Sequence, residues 1–225
     1  MVTPVHEASH PASYRILPEH PDALAPVFEA LQIPPIPKTA IHALHDTTRI
    51  PLLERCPGAL LKIERPDGDG FLLAIEFQAE PDPDKPASWA FYLAHLHATY
   101  EMPVLLLVVC RRRTTASWAV GPFETRCGDW TSMSLRPLAL GPQSIPPIVE
   151  EATAVRHPLL AALAAVAHSE DERIGAALDA LAHGMRSLDG DTAEYLSELL
   201  AVGLEDTSAG KTWREDLRED RTRTG

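Results

Sequence analysis

The tripeptide Glu76-Phe77-Gln78 closes a long apolar run and carries two oxygen-bearing side chains two positions apart. On a β-strand, residues separated by two positions project from the same face, so Glu76 and Gln78 are expected to act together. Carboxylate oxygens are ligands that Mg²⁺ prefers, and a bound divalent ion can activate water for attack on a phosphodiester. A carboxylate at the end of this strand could hold such an ion together with a second carboxylate on a neighbouring strand.

A β-hairpin is predicted to position this site. Residues 59–64 form its first strand, the turn is centred on Asp67, and residues 71–78 form the returning strand. With this turn, position 58 faces Glu76 across the pair, and carboxylates at two such positions could share one ion. Position 58 is Gly58, however, and glycine has no side chain with which to bind a metal.

The rest of the chain alternates between strand and helix patterns. Trp89, Leu93 and Leu96 recur at helical spacing, and the Val104–Cys110 run is typical of a buried strand. A strand, a helix and a buried strand in this order predict an α/β crossover unit. The other expected elements are a helix at 22–31, strands at 41–49, 115–120 and 134–140, and helices at 149–168, 171–188 and 191–204.

Changes in composition divide the chain into three predicted segments. Residues 1–145 are expected to form an α/β core, and residues 146–206 a helical extension. Residues 207–225 are charged and poor in apolar side chains, so they are expected to form a solvated or disordered tail. The fold class predicted from this order is α/β, with a sheet flanked by helices.

Taken together, the hairpin, Glu76-Phe77-Gln78, the helix that carries Lys85 and the buried strand resemble the PD-(D/E)XK nuclease superfamily. The resemblance is to its recombination-promoting nuclease/transposase branch and covers roughly residues 6–140. His6-Glu7 is similar to an early His-Asp/Glu pair of that branch. The resemblance implies a restriction-endonuclease-like mixed sheet, and a DNA endonuclease that requires Mg²⁺ or Mn²⁺ and acts in DNA recombination.

The resemblance also implies roles for individual residues. Glu76 would bind the metal, Gln78 would position water or the phosphate, and Glu7 would assist from the first helix. The expected contacts to backbone phosphate are Lys85 and the basic cluster Arg111, Arg112 and Arg113. Gly58 departs from the branch, which places an aspartate at this point, and Glu54 is one acid that could replace it.

Charge and cysteine content restrict the classes of partner. The net charge of −12 argues against a protein coated with nucleic acid, so a DNA partner would require a local basic patch. Three cysteines without CxxC spacing argue against a disulfide framework or a zinc knuckle. The sequence shows no secretory-signal pattern and no apolar run long enough for a bilayer, so a cytoplasmic location without membrane contact is expected. A homodimer is left open.

Gly58 and the acidic net charge favour a second interpretation with nearly equal weight. In this interpretation the protein is catalytically silent and keeps its fold as a nucleic-acid-binding or protein-interaction module. A third interpretation is an interaction protein that works through the helical extension. Residues 6–10 also match the zinc protease motif HExxH, but Pro4 and Pro11 argue against the helix that this motif needs.

Overall fold

A computed structural model of the protein describes residues 25–32, 40–43, 58–64 and 70–214, with the backbone alone described at 40–43. The strands are β1 (Ala40–Ala43), β2 (Ala59–Glu64), β3 (Gly70–Gln78), β4 (Val104–Cys110), β5 (Phe123–Cys127), β6 (Trp130–Leu135) and β7 (Leu138–Leu140). The helices are α1 (Ala25–Ala30), α2 (Lys85–Tyr100), α3 (Arg113–Ala119), α4 (Glu151–Arg156), α5 (Pro158–Ala167), α6 (Ile174–Met185) and α7 (Gly190–Gly203).

Five strands form a mixed sheet in the order β1-β2-β3-β4-β7. The β2–β3 pair is antiparallel and β3–β4 is parallel, with α2 as the connection. Ala59 faces Ile75 and Glu64 faces Gly70, which is the register predicted from a turn centred on Asp67. The expected α/β class, with a mixed sheet flanked by helices, is confirmed.

The two faces of the sheet support separate hydrophobic clusters, because side chains alternate along each strand. Leu72 and Ala74 of β3 pack against Trp89 of α2 and against α3. Leu73 and Ile75 project from the opposite face and share one cluster with α5, α6 and α7. Glu76 and Gln78 continue the first series, so they lie on the α2 face of the sheet.

Two of the predicted strands differ in the structure. Residues 115–120 were expected to form a strand, and this expectation is wrong because most of them belong to α3. Ala116 and Ala119 are fully buried at helical spacing, whereas a strand would turn them to opposite faces. The strand predicted at 134–140 is divided between β6 and β7, and Pro137 lies between them.

The helices of the predicted extension begin with α4 at Glu151, and they pack on the sheet. Helix α5 is buried along nearly its whole length and contributes to the same cluster as β3 and β4. Residues 208–214 are also helical, and Ala209 and Trp213 are buried in that cluster. This part of the chain is therefore not the solvated tail that its charged sequence predicts. None of the described helices combines the length and apolar character needed to cross a membrane.

Candidate functional site

The predicted site residues of β3 lie at the carboxyl edge of the two central strands. Glu76 is opposite Val108 of β4, and Gln78 is opposite Cys110. Because β3 and β4 are parallel, both strands end at this edge, and the segment that begins with Arg111 follows directly. The structure therefore brings Glu76, Gln78 and the arginine cluster to the same edge of the sheet.

Glu76 is paired with Lys85, nine residues later in the chain. Lys85 Nζ donates to Glu76 Oε2 over 3.2 Å, and the two side chains are only 17% and 9% exposed. Pro81 and Pro83 end the strand, and Pro86 lies in the first turn of α2, where its ring is compatible with the helix. The short loop between β3 and α2 therefore places Lys85, the first residue of α2, beside the end of β3.

Two opposing effects act on the pKa of the Glu76 carboxyl, namely its burial and the positive charge of Lys85. Burial raises the pKa of the Glu76 carboxyl above its usual value, while the charge and hydrogen bond of Lys85 oppose the rise. Trp89, one helical turn after Lys85, also lies close enough to lower this pKa. The indole N–H of Trp89 is buried without a well-formed hydrogen bond, so Glu76 is its natural acceptor.

The amide of Gln78 is turned towards its own chain. Gln78 Nε2 donates to the main-chain oxygen of Glu80 over 2.5 Å, in the loop that follows β3. Thr115 of α3, which the sequence did not single out, donates to the neighbouring oxygen of Ala79 over 3.0 Å. Beside Gln78 in the sheet, Cys110 is buried, and burial raises the pKa of its thiol to about 12. The loop after β3 is thus fixed by side chains on two elements, and Cys110 stays an unreactive thiol.

Gly58 lies in a bend one residue before β2, whose pairing with β3 ends at Ala59 and Ile75, and the space beside Gly58 is filled. A Cβ atom at Gly58 would lie 2.5 Å from the ring of Phe77. A Cβ atom at Gly203, at the end of α7, would meet Val166 at 2.5 Å and the same ring at 3.0 Å. Phe77 projects from the face of β3 opposite to Glu76, so a side chain at position 58 would begin on the wrong side for a shared metal site.

The arginine cluster is largely occupied by the protein's own oxygen atoms. Arg111 donates from Nη2 to the main-chain oxygens of Gly203 at 2.9 Å and Glu205 at 2.6 Å, and burial lowers its pKa. Arg112 forms salt bridges of 2.6 Å with Glu80 and 3.2 Å with Glu170.

Arg113 begins α3 and is exposed, without an ion pair to any described residue. The cluster thus extends from the end of β4 into the first residue of α3. The acceptors of Arg111 and Arg112 come from the loops after β3 and α5 and from the end of α7, and the sequence gives no signal for these contacts.

The other predicted acids are far from this edge or outside the described residues. Glu64 ends β2 opposite Gly70, at the far end of the hairpin, and pairs with Lys62 over 2.6 Å. Glu7 and Glu54 lie outside the described residues, and so does the HExxH sequence at 6–10. Their predicted roles stay predictions.

The described residues at this edge do not fit a divalent metal. Mg²⁺ requires several oxygen ligands in octahedral geometry. Strand β3 supplies one acidic side chain for this purpose, Glu76. Its carboxylate already accepts from Lys85, and Gly58 offers no ligand. Within the described part of the chain, no cluster of three His, Cys, Asp or Glu side chains has the arrangement to hold a metal ion.

No family model matches the chain, and no curated protein or solved structure matches it either.

Proposed function

We propose that this chain is a catalytically silent protein of nuclease-like architecture that works as a protein-interaction module. The restriction-endonuclease-like arrangement of its sheet is part of this proposal. The observation that carries it is the Glu76–Lys85 ion pair, because the ammonium group takes the place that a divalent cation needs beside the carboxylate. Lys85 neutralises the charge of Glu76 through a contact to Oε2, which weakens the attraction of this carboxylate for a divalent cation.

The second observation that supports the proposal is that position 58 carries a glycine. A functional pair of acids would need a carboxylate facing Glu76, and Gly58 provides none. The ring of Phe77 occupies the space into which a side chain at this position would extend. At this edge of the hairpin, the ring of Phe77 therefore fills the space in which the side chain of a second metal ligand would begin.

A protein partner is favoured over DNA by the charges. The chain has a net charge of −12, which repels a polyanion unless a basic patch compensates. Arg111 and Arg112 would have formed such a patch, but both are bonded to oxygen atoms of the protein itself. A phosphate group would have to compete with these internal acceptors.

The second candidate function is the metal-dependent DNA endonuclease of the recombination-promoting nuclease/transposase type. The observation in its favour is that Glu76, Gln78 and Lys85 meet at one edge with the arginine cluster beside them. Glu7 or Glu54 would then have to complete the ligand set for Mg²⁺ or Mn²⁺.

Cleavage of supercoiled plasmid in Mg²⁺ or Mn²⁺ separates the two candidates. The native protein is expected to cut no faster than Glu76→Ala, with both purified in parallel. Cutting by the native protein that disappears in Glu76→Ala would establish the endonuclease instead, and Glu7→Ala and Glu54→Ala would then identify the missing ligand. Metal-independent, salt-sensitive binding of labelled DNA, measured by fluorescence anisotropy, would favour a nucleic-acid module over a protein-interaction module.

A pair of variants tests the packing argument directly. Gly58→Asp is expected to gain neither Mn²⁺ binding by calorimetry nor plasmid cleavage, because its side chain meets Phe77. The double variant Gly58→Asp with Phe77→Ala lacks the obstructing ring, so its Mn²⁺ binding and plasmid cleavage are compared with those of Gly58→Asp. Glu76-dependent cleavage by Gly58→Asp alone would show that the ring yields and that the packing argument is wrong.

A further inference from the structure

The β5–β6 hairpin is separate from the main sheet. Its two strands pair with each other and, within the described part of the chain, with no other strand. From Glu124 to Trp130 every residue is exposed. The outer edge of β5 therefore presents unpaired backbone N–H and C=O groups, which are a template for pairing with another strand.

The base of this hairpin is firmly held, so its edge has a defined position. Leu135 is buried, and the ring of Phe123 packs 5.2 Å from Trp118 and 5.9 Å from Trp89. Towards the tip, Trp130 and Met133 are 75% and 42% exposed. The hairpin is thus anchored by aromatic contacts at one end and carries exposed apolar side chains at the other.

We propose that β5 pairs antiparallel with β5 of a second copy of this chain, about a two-fold axis through Thr125. Isologous contacts of this kind are the commonest basis of homodimers, and they require a self-complementary surface. The sequence Phe123-Glu124-Thr125-Arg126-Cys127 meets this requirement. In the proposed register Glu124 of each copy faces Arg126 of the other, and the two Thr125 residues face each other.

The charges around β5 favour this occupant. Opposite charges that face each other across an antiparallel pair stabilise it, and this register contains two such pairs. Glu124 and Arg126 share a 3.4 Å contact within one strand, and Arg126 also donates to Thr131 Oγ1 over 3.0 Å. Contacts of this kind at a surface are weak, so a facing strand can compete for these charges. Segment 120–136 contains Glu124 and Asp129 against Arg126 and Arg136, so it is neutral in a chain of net charge −12. The local net charge therefore adds no repulsion when two copies meet at this hairpin.

This inference goes beyond the proposed function, because it concerns a surface away from Glu76 and holds whether or not the protein cuts DNA. The proposed partner is a second copy of β5, so the charges that it must match are those of Glu124 and Arg126.

Sedimentation equilibrium of the full chain over a concentration series tests the pairing. The native chain is expected to form a dimer, and Glu124→Arg is expected to raise its dissociation constant about tenfold or more, since two attractive pairs become repulsive. Glu124→Arg combined with Arg126→Glu exchanges the charges, restores both pairs and is expected to restore the dimer. Glu172→Arg makes the same change in net charge at an exposed site outside the hairpin and is expected to leave the dimer unchanged.

Three results would overturn the pairing. They are a native chain that is monomeric throughout the series, a dimer that Glu124→Arg leaves intact, and a charge-exchanged double variant that stays as weak as Glu124→Arg. Near-ultraviolet circular dichroism establishes that each variant is folded. A failure here leaves the cleavage result untouched, so the two proposals are judged by separate measurements.

Discussion

Replacing Lys85 by methionine removes the cation from Glu76 while keeping most of the side-chain volume. At 3.2 Å and an effective dielectric constant of about 20, the two charges attract each other by about 5 kcal/mol. Removing one partner of a fully buried pair costs about 3 to 5 kcal/mol, and this pair keeps some contact with solvent. We therefore expect Lys85→Met to lower the free energy of unfolding by about 2 kcal/mol at neutral pH.

The loss should depend on pH in a defined direction. Burial already raises the pKa of Glu76 above the usual value of 4.5, and without Lys85 this pKa rises further. A carboxyl group with a raised pKa binds its proton more tightly in the folded state, so stability falls as pH rises from the unfolded pKa through the folded one. The destabilisation by Lys85→Met is therefore expected at neutral pH and should shrink as the solution is acidified towards the unfolded value.

Urea unfolding followed by circular dichroism, at neutral pH and in mildly acidic buffer, measures both effects. Lys211→Met is the control, because Lys211 is exposed in the C-terminal helical segment and forms no salt bridge with a described residue. Adding Glu76→Gln to Lys85→Met should recover most of the lost stability, because no buried charge then lacks a partner. A destabilisation that is equal at both pH values, or that survives in the double variant, would refute the ion-pair argument.

Three further predictions concern contacts of the C-terminal helices and of the arginine cluster. Arg111→Ala should lower the free energy of unfolding by about 2 kcal/mol and increase hydrogen exchange near Gly203, since it removes charged donors from two carbonyl groups. Arg112→Ala, which breaks exposed ion pairs, should lower the free energy of unfolding by much less than Arg111→Ala in the same assay. Trp213→Ala should lower the free energy of unfolding by about 3 kcal/mol in a urea titration, because its side chain is 3% exposed. A change of only a few tenths would show that residues 208–214 do not contribute to the core.

The hairpin could be predicted from the sequence because several local signals agree there. The apolar residues of β2 and β3, the turn at Pro66–Gly70 and the polar strand ends all favour one pairing. A shift by one residue would turn Leu73 and Ile75 away from the helical extension, so the register is strongly determined. The same signals predicted position 58 opposite Glu76, but the strand pairing ends one step earlier, at Ala59 and Ile75.

Helix α3 could not be predicted in the same way. Thr114, Thr115 and Val120 favour a strand by their branched side chains, and the segment is short. The helix is stabilised by tertiary contacts, since it places Trp118 within 5.6 Å of Trp89 and buries Ala116 and Ala119 together. Residues 208–214 are a similar case, because one buried tryptophan outweighs the charges around it.

Only part of the candidate site could be predicted from the sequence. Glu76 and Gln78 could be located from the strand pattern, but the partner of Glu76 depends on where the following loop returns. Lys85 was expected to contact phosphate, whereas the structure gives it a carboxylate within the chain. The acceptors of Arg111 lie about ninety residues later, and no local pattern connects positions so far apart.

The ring of Phe77, which lies between two glycines, limits which residues positions 58 and 203 can carry. Any larger residue at Gly58 meets the ring first, and any larger residue at Gly203 meets it from the other side. A smaller residue in place of Phe77 would leave a void among its neighbours, and voids cost stability. Each single step towards an acidic residue at position 58 thus passes through a less stable protein, so selection for folding alone preserves the glycine.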